Sequence, residues 1–364
     1  MLADRLSAGS TPLRPLTMRA VELSGLGEAS VLVPTTRPTP SPGPGELLVK
    51  IAATGVCGHD VLARRGKLSA APGDVLGHEI AGTVVDIGAG GSGREDLVGP
   101  WLGQRVALVQ RIPCGVCRDC AAGATSQCRR GPGFYGDDIP GGYAEYVVSS
   151  PLNTVALPDS IDDVSAAILS CAVGTGLRAL RTADLRSDDV VMVTGAGGGV
   201  GVHTIQLAVH LGYRVIAVTG TRSKVDQLTR LGAQRVLVSP DLRAVRDAAD
   251  ALGRPRGADA VIEITGGPLF GLSLRALAPR GRLVLVGDVD PAPVGLDSGL
   301  TIVKELQVRG SAHATRTDLE EVVSMVAEGH IVPVVARTWP LAQVSQAHAA
   351  LDAREITGRA VVVP

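Results

Sequence analysis

The sequence predicts an α/β protein that combines a doubly wound parallel sheet with a mostly β domain. After Asp189, apolar runs of strand length alternate with segments of helical spacing, a pattern typical of a parallel sheet covered by helices. Before Asp189, short strand-like runs are separated by glycine and proline turns. The 364 residues have room for about two such domains.

Composition excludes several classes of protein. The formal net charge of −1 gives no electrostatic case for binding nucleic acid or an anionic membrane. No segment reaches the ~18 uninterrupted apolar residues of a membrane-spanning helix. Residues 1–17 lack the apolar centre of a secretory signal and are predicted to be a disordered leader, so a cytoplasmic location is the default expectation.

A glycine-rich turn joins the first strand of the second half, predicted over Val190–Thr194, to a helix predicted over Val202–Leu211. Glycines in this position allow the backbone to approach a pyrophosphate, whose charge the helix N-terminus stabilises. The strict G-x-G-x-x-G spacing is not met, because Ala196 takes the first glycine position. The predicted cofactor-binding residues of the turn are Gly195, Gly197, Gly198, Gly199, Val200 and Gly201.

The alternation of strands and helices continues to the C-terminus. The other strands are predicted over Arg214–Thr219, Arg235–Val238, Ala260–Ile264, Leu283–Gly287, Leu306–Gly310 and Ala360–Val363. Helices are predicted over Ile161–Leu169 (capped by Asp159 or Ser160), Lys224–Leu231, Leu269–Leu277, Asp318–Ala327 and Gln343–Leu351. The six strands from Val190–Thr194 to Leu306–Gly310, with helices between them, make the doubly wound sheet, and Ala360–Val363 is a separate terminal strand.

The end of the second strand indicates the cofactor. A turn that prefers NAD usually carries an acidic residue there, to bind the ribose hydroxyls. This chain has Thr219, followed by Arg222 and Lys224, which are placed to meet a 2′-phosphate. NADP is therefore the preferred cofactor and NAD the alternative, unless these cations only form a solvated basic turn.

Six cysteines stand in a chain without a signal peptide, which favours metal binding over disulfides. Cys114, Cys117, Cys120 and Cys128 lie within fifteen residues, and loops this short can wrap one tetrahedral zinc ion. An iron–sulfur cluster or unrelated thiols are the alternatives. A closed four-Cys site leaves no open coordination position, so this lobe is expected to be structural.

Three further groups stand apart from the lobe. Cys57, His59 and Asp60 follow a predicted strand, His78 and Glu79 stand at the entrance to another, and Cys171 lies in an apolar stretch. Each alone is more typical of structural roles than of metal binding.

Together these features resemble the zinc-containing medium-chain alcohol dehydrogenases, with a match from about residue 18 to 364. The resemblance is carried by Cys57, the Gly77-His78-Glu79 segment, the four-Cys lobe, Cys171 and the glycine turn. It implies a GroES-like catalytic domain over residues 18–170 and 316–364, and a Rossmann dinucleotide-binding domain over 171–315. The loop at 89–93 departs from the family by being longer and richer in glycine.

The resemblance implies two zinc ions per chain, one structural and one catalytic. Cys57, His78 and Cys171 would hold the catalytic ion, the ligand set of alcohol dehydrogenases, with Glu79 beside it. Asp60 would orient His78 by accepting its second N–H, although a helix cap is the alternative. The family often has an arginine near the cofactor phosphates, a role that falls here to Arg359. A homodimer or homotetramer is expected on the same basis.

The implied reaction is hydride transfer between an alcohol or polyol and the nicotinamide, because zinc lowers the pKa of a bound alcohol. The family usually has Ser or Thr where this chain has His59. We expect His59 to act as proton relay or general base, with a pocket wall or a ribose contact as alternatives. Gln110 is predicted to face the pocket, with Phe134 and Tyr135, which favours a polar substrate unless Gln110 only contacts water at the rim.

Two competing functions remain at this point. A quinone or enoyl reductase has the same fold, and the glycine turn and the missing acidic residue resemble that branch, which typically lacks the catalytic zinc ligands. A lobe that binds nucleic acid on an inactive fold is disfavoured by the mixed charges around it. The expected partner is a small-molecule alcohol or carbonyl, with neither nucleic acid nor membrane.

Overall fold

The computed structural model describes residues 14–89 and 101–364. Residues 1–13 of the expected leader and residues 90–93 of the expected loop insertion lie outside these ranges. Part of the leader is structured: Arg14 donates a hydrogen bond to Ser41, and the first strand begins at Thr17. Within the described residues, no helix is both long and apolar enough to span a bilayer.

Two groups of strands build the fold. The first group comprises β1 (Thr17–Leu23), β2 (Leu32–Pro38), β3 (Leu47–Val56), β4 (Glu79–Ile87), β5 (Arg105–Leu108), β6 (Arg111–Ile112), β7 (Gly133–Phe134), β8 (Tyr146–Ser149) and β9 (Thr154–Ala156). The second comprises β10 (Val190–Val193), β11 (Arg214–Thr219), β12 (Arg235–Val238), β13 (Ala258–Glu263), β14 (Leu277–Leu285) and β15 (Gln307–Gly310). Strands β16 (Val335–Pro340) and β17 (Arg359–Val363) return to the first group.

The helices follow the same division. In the N-terminal part they are α1 (Gly58–Arg64), α2 (Arg118–Ala121) and α3 (Asp163–Ala167), followed by a π-helical turn over Leu169–Val173. The later helices are α4 (Gly174–Ala183), α5 (Gly199–His210), α6 (Val225–Arg230), α7 (Leu242–Asp250), α8 (Gly267–Ala276), α9 (Ser298–Lys304), α10 (Arg316–Ala327) and α11 (Val344–Asp352).

The second group of strands forms a parallel sheet in the order β12-β11-β10-β13-β14-β15, six strands within the continuously described stretch 101–364. The inner strands β10, β11 and β13 are mostly buried and rich in apolar residues, as expected of a parallel sheet covered on both faces. The order reverses at β10, where the glycine turn begins. The predicted doubly wound sheet is therefore confirmed.

The mixed sheet of the first group runs β16-β17-β3-β4-β5-β9, with β8 also paired to β3, counted over the described residues. Strand β3 lies near its centre and pairs antiparallel with β4 and with the C-terminal strand β17. One apolar core includes Ala53 and Val361 from this sheet and Val191 from the other. Strand β3 and the parallel sheet thus share one packed interior.

Several predicted boundaries were wrong. The helix predicted over Ile161–Leu169 is capped by Asp162, whose side chain accepts a hydrogen bond from Ser165 N–H, rather than by Asp159 or Ser160. Helix α5 begins at Gly199 rather than Val202, because Gly198 is its N-cap. Helices α4, α7 and α9 were not predicted, and α4 carries two glycines that lower its helical propensity.

Candidate active site and metal centres

Four side chains from three separate segments converge at the end of β3. Cys57 follows the strand, His78 and Glu79 stand at the start of β4, and Cys171 lies in the π-helical turn. Their ligand atoms all lie within 4.8 Å of one another, and all four side chains are buried. The Sγ atoms of Cys57 and Cys171 are 4.0 Å apart. Fold topology therefore brings together the residues predicted as catalytic ligands.

The close approach of β3 and β4 at this point depends on Gly55, which pairs with Glu79. A Cβ atom at Gly55 would lie 2.0 Å from the Oε2 atom of Glu79 and 2.9 Å from its Cβ. The missing side chain leaves room for the glutamate to reach the cluster.

The donor atoms of the cluster suit a metal cation. The Cys171 thiol, helped by the positive charges of Arg359 and His78, holds the pKa of Cys57 well below its usual value despite burial. Burial lowers the pKa of His78, but the Asp60 carboxylate and Cys57 outweigh burial and raise it well above normal. Two thiols, one imidazole and a carboxylate form a donor set that suits zinc, whose binding displaces these protons.

Asp60 lies directly behind His78. Its Oδ1 atom is 3.0 Å from His78 Nδ1, and its Oδ2 atom accepts a hydrogen bond from the Cys57 backbone N–H at 2.8 Å. The second bond completes a capping interaction at the start of α1. Asp60 thus makes both contacts that the sequence left as alternatives, the imidazole contact and the helix cap.

Arg359 lies on the other side of the cluster, at the start of β17. Its guanidinium is 3.0 Å from Glu79 Oε1 and 3.9 Å from Cys171 Sγ. Burial raises the pKa of Glu79 to about 7, against the opposing effect of Arg359. The guanidinium also packs against Gly199, since a Cβ there would lie 2.5 Å from Arg359 Cζ. Arg359 therefore contacts both the candidate metal-binding cluster and the glycine turn.

The four lobe cysteines form a second cluster, with ligand atoms within 4.8 Å of one another. The Sγ atom of Cys117 is 3.4 Å from that of Cys120 and 3.9 Å from that of Cys128. Cys114 Sγ is 3.9 Å from Cys120 Sγ. Four thiols converging on one point fit a tetrahedral ion with no position left for substrate.

His59 faces the first cluster from α1. Its ring centroid is 5.3 Å from the rings of His78 and Phe134, and its Nε2 atom is 2.8 Å from Asp137 Oδ2. The side chain is 35% exposed, so it joins the buried cluster to solvent. Asp137 was not predicted, because nothing in its local sequence indicates which histidine it meets.

The pocket residues expected from the sequence fall into two groups. Phe134 packs against His59, His78 and His313 beside the cluster. Gln110 is buried and accepts a hydrogen bond from Ser170, next to Cys171. The expectation for Tyr135 was wrong, because its side chain packs in the core around β5 and its hydroxyl donates to Val148 O.

The glycine turn has the geometry of a dinucleotide site. Gly195 has a φ of +56°, a conformation that favours glycine. A Cβ at Gly201 would lie 2.5 Å from Gly195 O, so the helix packs onto the turn only without a side chain there. Lys224 runs alongside Gly197 and donates to Ile356 O at 2.6 Å, while Arg222 is exposed. Thr219 is buried at the end of β11.

Sequence comparison places this architecture in a known family. Residues 43–159 match the alcohol dehydrogenase GroES-like domain, and residues 199–328 match the zinc-binding dehydrogenase domain. The chain belongs to the medium-chain dehydrogenase/reductase family, which confirms the resemblance. It is accordingly an oxidoreductase with a GroES-like region and a Rossmann region.

Individual relatives differ in the activity that their names state. The chain is 32% identical to an acryloyl-coenzyme A reductase of Metallosphaera sedula, over 89% of this chain and 93% of that protein. It is 30% identical to an NAD-dependent alcohol dehydrogenase of Sulfurisphaera tokodaii, over 95% and 100% of the two chains. The solved structure of a cobalt- and zinc-bound thermostable alcohol dehydrogenase from Pyrobaculum aerophilum superposes with a TM-score of 0.83, at 32% identity over 96% and 100%.

Proposed function

We propose that the protein is a zinc-dependent dehydrogenase that transfers hydride between an alcohol or polyol, or the matching carbonyl, and a nicotinamide cofactor. The observation that carries the proposal is the convergence of Cys57, His78 and Cys171 within 4.8 Å. A zinc ion bound by these residues would supply Lewis acidity toward a substrate oxygen. A second zinc ion in the four-Cys lobe would have a structural role.

The surrounding residues have separate roles in orienting the ligands, moving the proton and excluding water. Asp60 orients His78 through the 3.0 Å contact to Nδ1, and Glu79 lies beside the ligands, neutralised by Arg359. His59, with its 2.8 Å contact to Asp137, is the proposed proton relay between the reacting oxygen and solvent. Phe134 forms an apolar wall that limits water near the reacting atoms.

The cofactor would lie across the glycine turn, with its pyrophosphate at the N-terminus of α5. We prefer NADP to NAD, because Arg222 is exposed at the end of β11 and Thr219 stands where an acidic residue would bind the ribose. Lys224 and Arg359 lie against Gly197 and Gly199 of this turn, which supports a role for both in binding the cofactor phosphates. The domain limits near residues 170 and 315, and a homodimer or homotetramer, belong to the same proposal.

A second candidate function is reduction of the carbon–carbon double bond of an unsaturated acyl thioester. The identity of 32% to an acryloyl-coenzyme A reductase, over 89% of this chain, favours it. The metal donor set favours the alcohol dehydrogenase, because the thioester carbonyl itself activates such a double bond toward hydride, whereas an alcohol or ketone oxygen is activated by a bound zinc ion.

One experiment separates the two functions. Zinc content is measured on purified protein, and the same sample is assayed with alcohols, ketones, aldehydes and acryloyl-coenzyme A, using NAD(H) and NADP(H) in parallel. About two zinc ions per chain and metal-dependent alcohol or carbonyl turnover support the proposal. Turnover of acryloyl-coenzyme A alone, unaffected by removal of the metal, would establish the reductase instead.

A further inference from the structure

A buried hydrogen-bond chain continues beyond Asp60, away from the metal cluster. The hydroxyl of Tyr143 donates to Asp60 Oδ2 at 3.1 Å, and the Nε2 atom of His348 lies 3.0 Å from the same hydroxyl. Asp60 is 2% exposed, and Tyr143 and His348 are fully buried. The chain therefore runs from α11 to the back of the His78 imidazole without contact with solvent.

The direction of each hydrogen bond follows from which side chain carries a proton. Burial, reinforced by the Asp60 charge, raises the pKa of Tyr143 well above normal. The hydroxyl therefore stays protonated and donates a hydrogen bond to Asp60. The tyrosine oxygen must then accept from His348, whose pKa burial lowers to about 4. A neutral imidazole has one N–H, so His348 carries its proton on Nε2.

These contacts saturate the Asp60 carboxylate. Its Oδ1 atom accepts from His78 Nδ1 and from the Gly77 N–H at 3.3 Å, and its Oδ2 atom accepts from the Cys57 N–H and from Tyr143. A carboxylate has about four acceptor positions, and here each has a donor. The position of Oδ1 sets the angle of the His78 ring. Because both oxygens belong to one carboxylate, the hydrogen bonds from Cys57 N–H and Tyr143 to Oδ2 also help to fix Oδ1.

Tyr143 is itself held firmly in place. Its backbone N–H donates to Leu76 O at 2.9 Å, and its ring fills the space left by Gly77, where a Cβ would lie 2.7 Å from the ring. His348 is fixed by α11, which is also attached to α1 through Asp352, 2.6 Å from Arg64 and 2.9 Å from Arg65. Helix α11 is therefore anchored to α1, the helix that follows Cys57.

We propose that Tyr143 and His348 are positioning residues for the catalytic metal site, which they influence by holding Asp60 and, through it, the His78 imidazole. This inference rests on the proposed zinc site. Groups that hold a metal ligand through a hydrogen bond typically change metal affinity by ~10–100-fold when they are removed. Since Tyr143 acts through Asp60, we expect an effect near the lower end, about 10-fold.

The chain offers a matched control in Tyr135. Its side chain is also buried, and its hydroxyl likewise donates to one oxygen (Val148 O, 2.9 Å) and accepts from one N–H (Asn153 Nδ2, 3.3 Å). Tyr135→Phe therefore removes the same atoms from an equivalent environment that does not contact the metal cluster.

The test compares wild type, Tyr143→Phe, Tyr135→Phe, His348→Gln and His348→Leu. Zinc affinity is measured by chelator competition, and the ligand-field absorption is recorded after replacement of zinc by Co²⁺. We expect Tyr143→Phe and His348→Leu to lower the affinity about 10-fold and shift the Co²⁺ bands. Tyr135→Phe should match wild type, and His348→Gln should stay near it, because the glutamine N–H can replace Nε2–H as donor.

Equal affinity and unchanged bands in Tyr143→Phe would overturn the inference, as would an equal loss in Tyr135→Phe. If Tyr143→Phe does not fold, the two His348 variants decide. A lower zinc affinity in His348→Leu that is restored in His348→Gln supports the inference, and equal zinc affinities in the two variants overturn it. Wild-type protein without zinc at Cys57, His78 and Cys171 would overturn the proposed function as well. Zinc in wild type with equal variants overturns the positioning role alone.

Discussion

The Nη2 atom of Arg359 lies 3.0 Å from Glu79 Oε1, and the two side chains are only 6% and 0% exposed. The same guanidinium packs against Gly199 of the glycine turn. One residue of the C-terminal strand thus neutralises an acid beside the candidate zinc ligands and also borders the glycine turn proposed to bind the cofactor.

The first prediction concerns this buried pair. We expect Arg359→Met to lower the free energy of unfolding by about 3 kcal/mol, because it leaves the Glu79 carboxyl buried without its cation. Arg359→Met combined with Glu79→Gln should recover part of this loss, since no unpaired charge remains. Urea denaturation measures both, and equal stability of the single and double variants would contradict the charge argument.

The second prediction separates the two metal sites. Cys117→Ser should remove about one zinc ion per chain and lower the unfolding temperature, because the lobe loses one of four ligands. Cys57→Ser should also remove about one zinc ion but abolish activity. Metal analysis, thermal denaturation and turnover of the two variants are compared directly. Loss of both ions in either variant would show that the sites are not independent.

The third prediction tests the preference for NADP. Arg222→Ala should raise the KM for NADPH about 10-fold and leave the KM for NADH nearly unchanged, since only NADPH has the 2′-phosphate. Arg230→Ala, another exposed arginine at the end of α6, is the control for the loss of one positive charge. A proportional rise for both cofactors would contradict a contact with the 2′-phosphate.

The fourth prediction tests the proton relay. His59→Ala should lower kcat by roughly 100-fold, the lower end of the effect of a general acid or base, and added imidazole should restore part of it. Asp137→Asn should have a smaller effect, because it removes the partner of Nε2 but keeps the imidazole. An unchanged kcat with a raised KM would show that His59 is a pocket wall or a cofactor contact.

The fifth prediction uses a buried histidine that is not among the candidate metal ligands. His203 in α5 is fully buried, contacts Gly199 O through Nδ1 at 2.6 Å, and accepts a hydrogen bond from Val334 N–H at 2.8 Å. Burial lowers its pKa to about 4, and the positive charge of Arg359 acts in the same direction. The unfolded chain, with a histidine pKa near ~6.5, therefore takes up this proton first.

Neutral His203 accordingly makes its full contribution to the free energy of unfolding above pH ~6.5, and this contribution is lost as the pH falls toward 4. The contribution is about 3 kcal/mol. Urea denaturation of wild type and His203→Gln at pH 7 and pH 4.5 checks this. The variant should lose less stability between the two pH values than wild type. An identical loss would show that other groups determine the acid sensitivity.

The sequence was sufficient for elements whose pattern is local. Arg214–Thr219 and Arg235–Val238 were predicted with their observed bounds, because apolar strand runs flanked by turn residues define them. The convergence of the candidate metal ligands was predictable because cysteine and histidine are scarce and their order matches a family. Helix α7 was missed although its buried residues Val245, Ala248 and Ala249 recur at helical spacing and Asp241 caps its N-terminus.

The supports of the site were not predictable, because they depend on contacts between distant residues. Tyr143 meets Asp60 across 83 positions, and His348 meets Tyr143 across 205. Each has an ordinary local sequence, and only the folded chain shows that the three form one hydrogen-bonded line. The Arg359–Glu79 pair is of the same kind: the family suggested a phosphate contact for Arg359, and its partner appears only in the structure.

The pairing of β17 with β3 has a consequence for biosynthesis. Strand β3 leads into Cys57, and residues Thr54, Gly55 and Val56 receive their edge partners from Val362, Val361 and Ala360. While a ribosome is still making the intervening residues, that edge of β3 remains open to pairing with other chains. The ligand-bearing segment therefore reaches its final surroundings only after β17 has been made, and metal loading is expected to follow the synthesis of β17 rather than precede it.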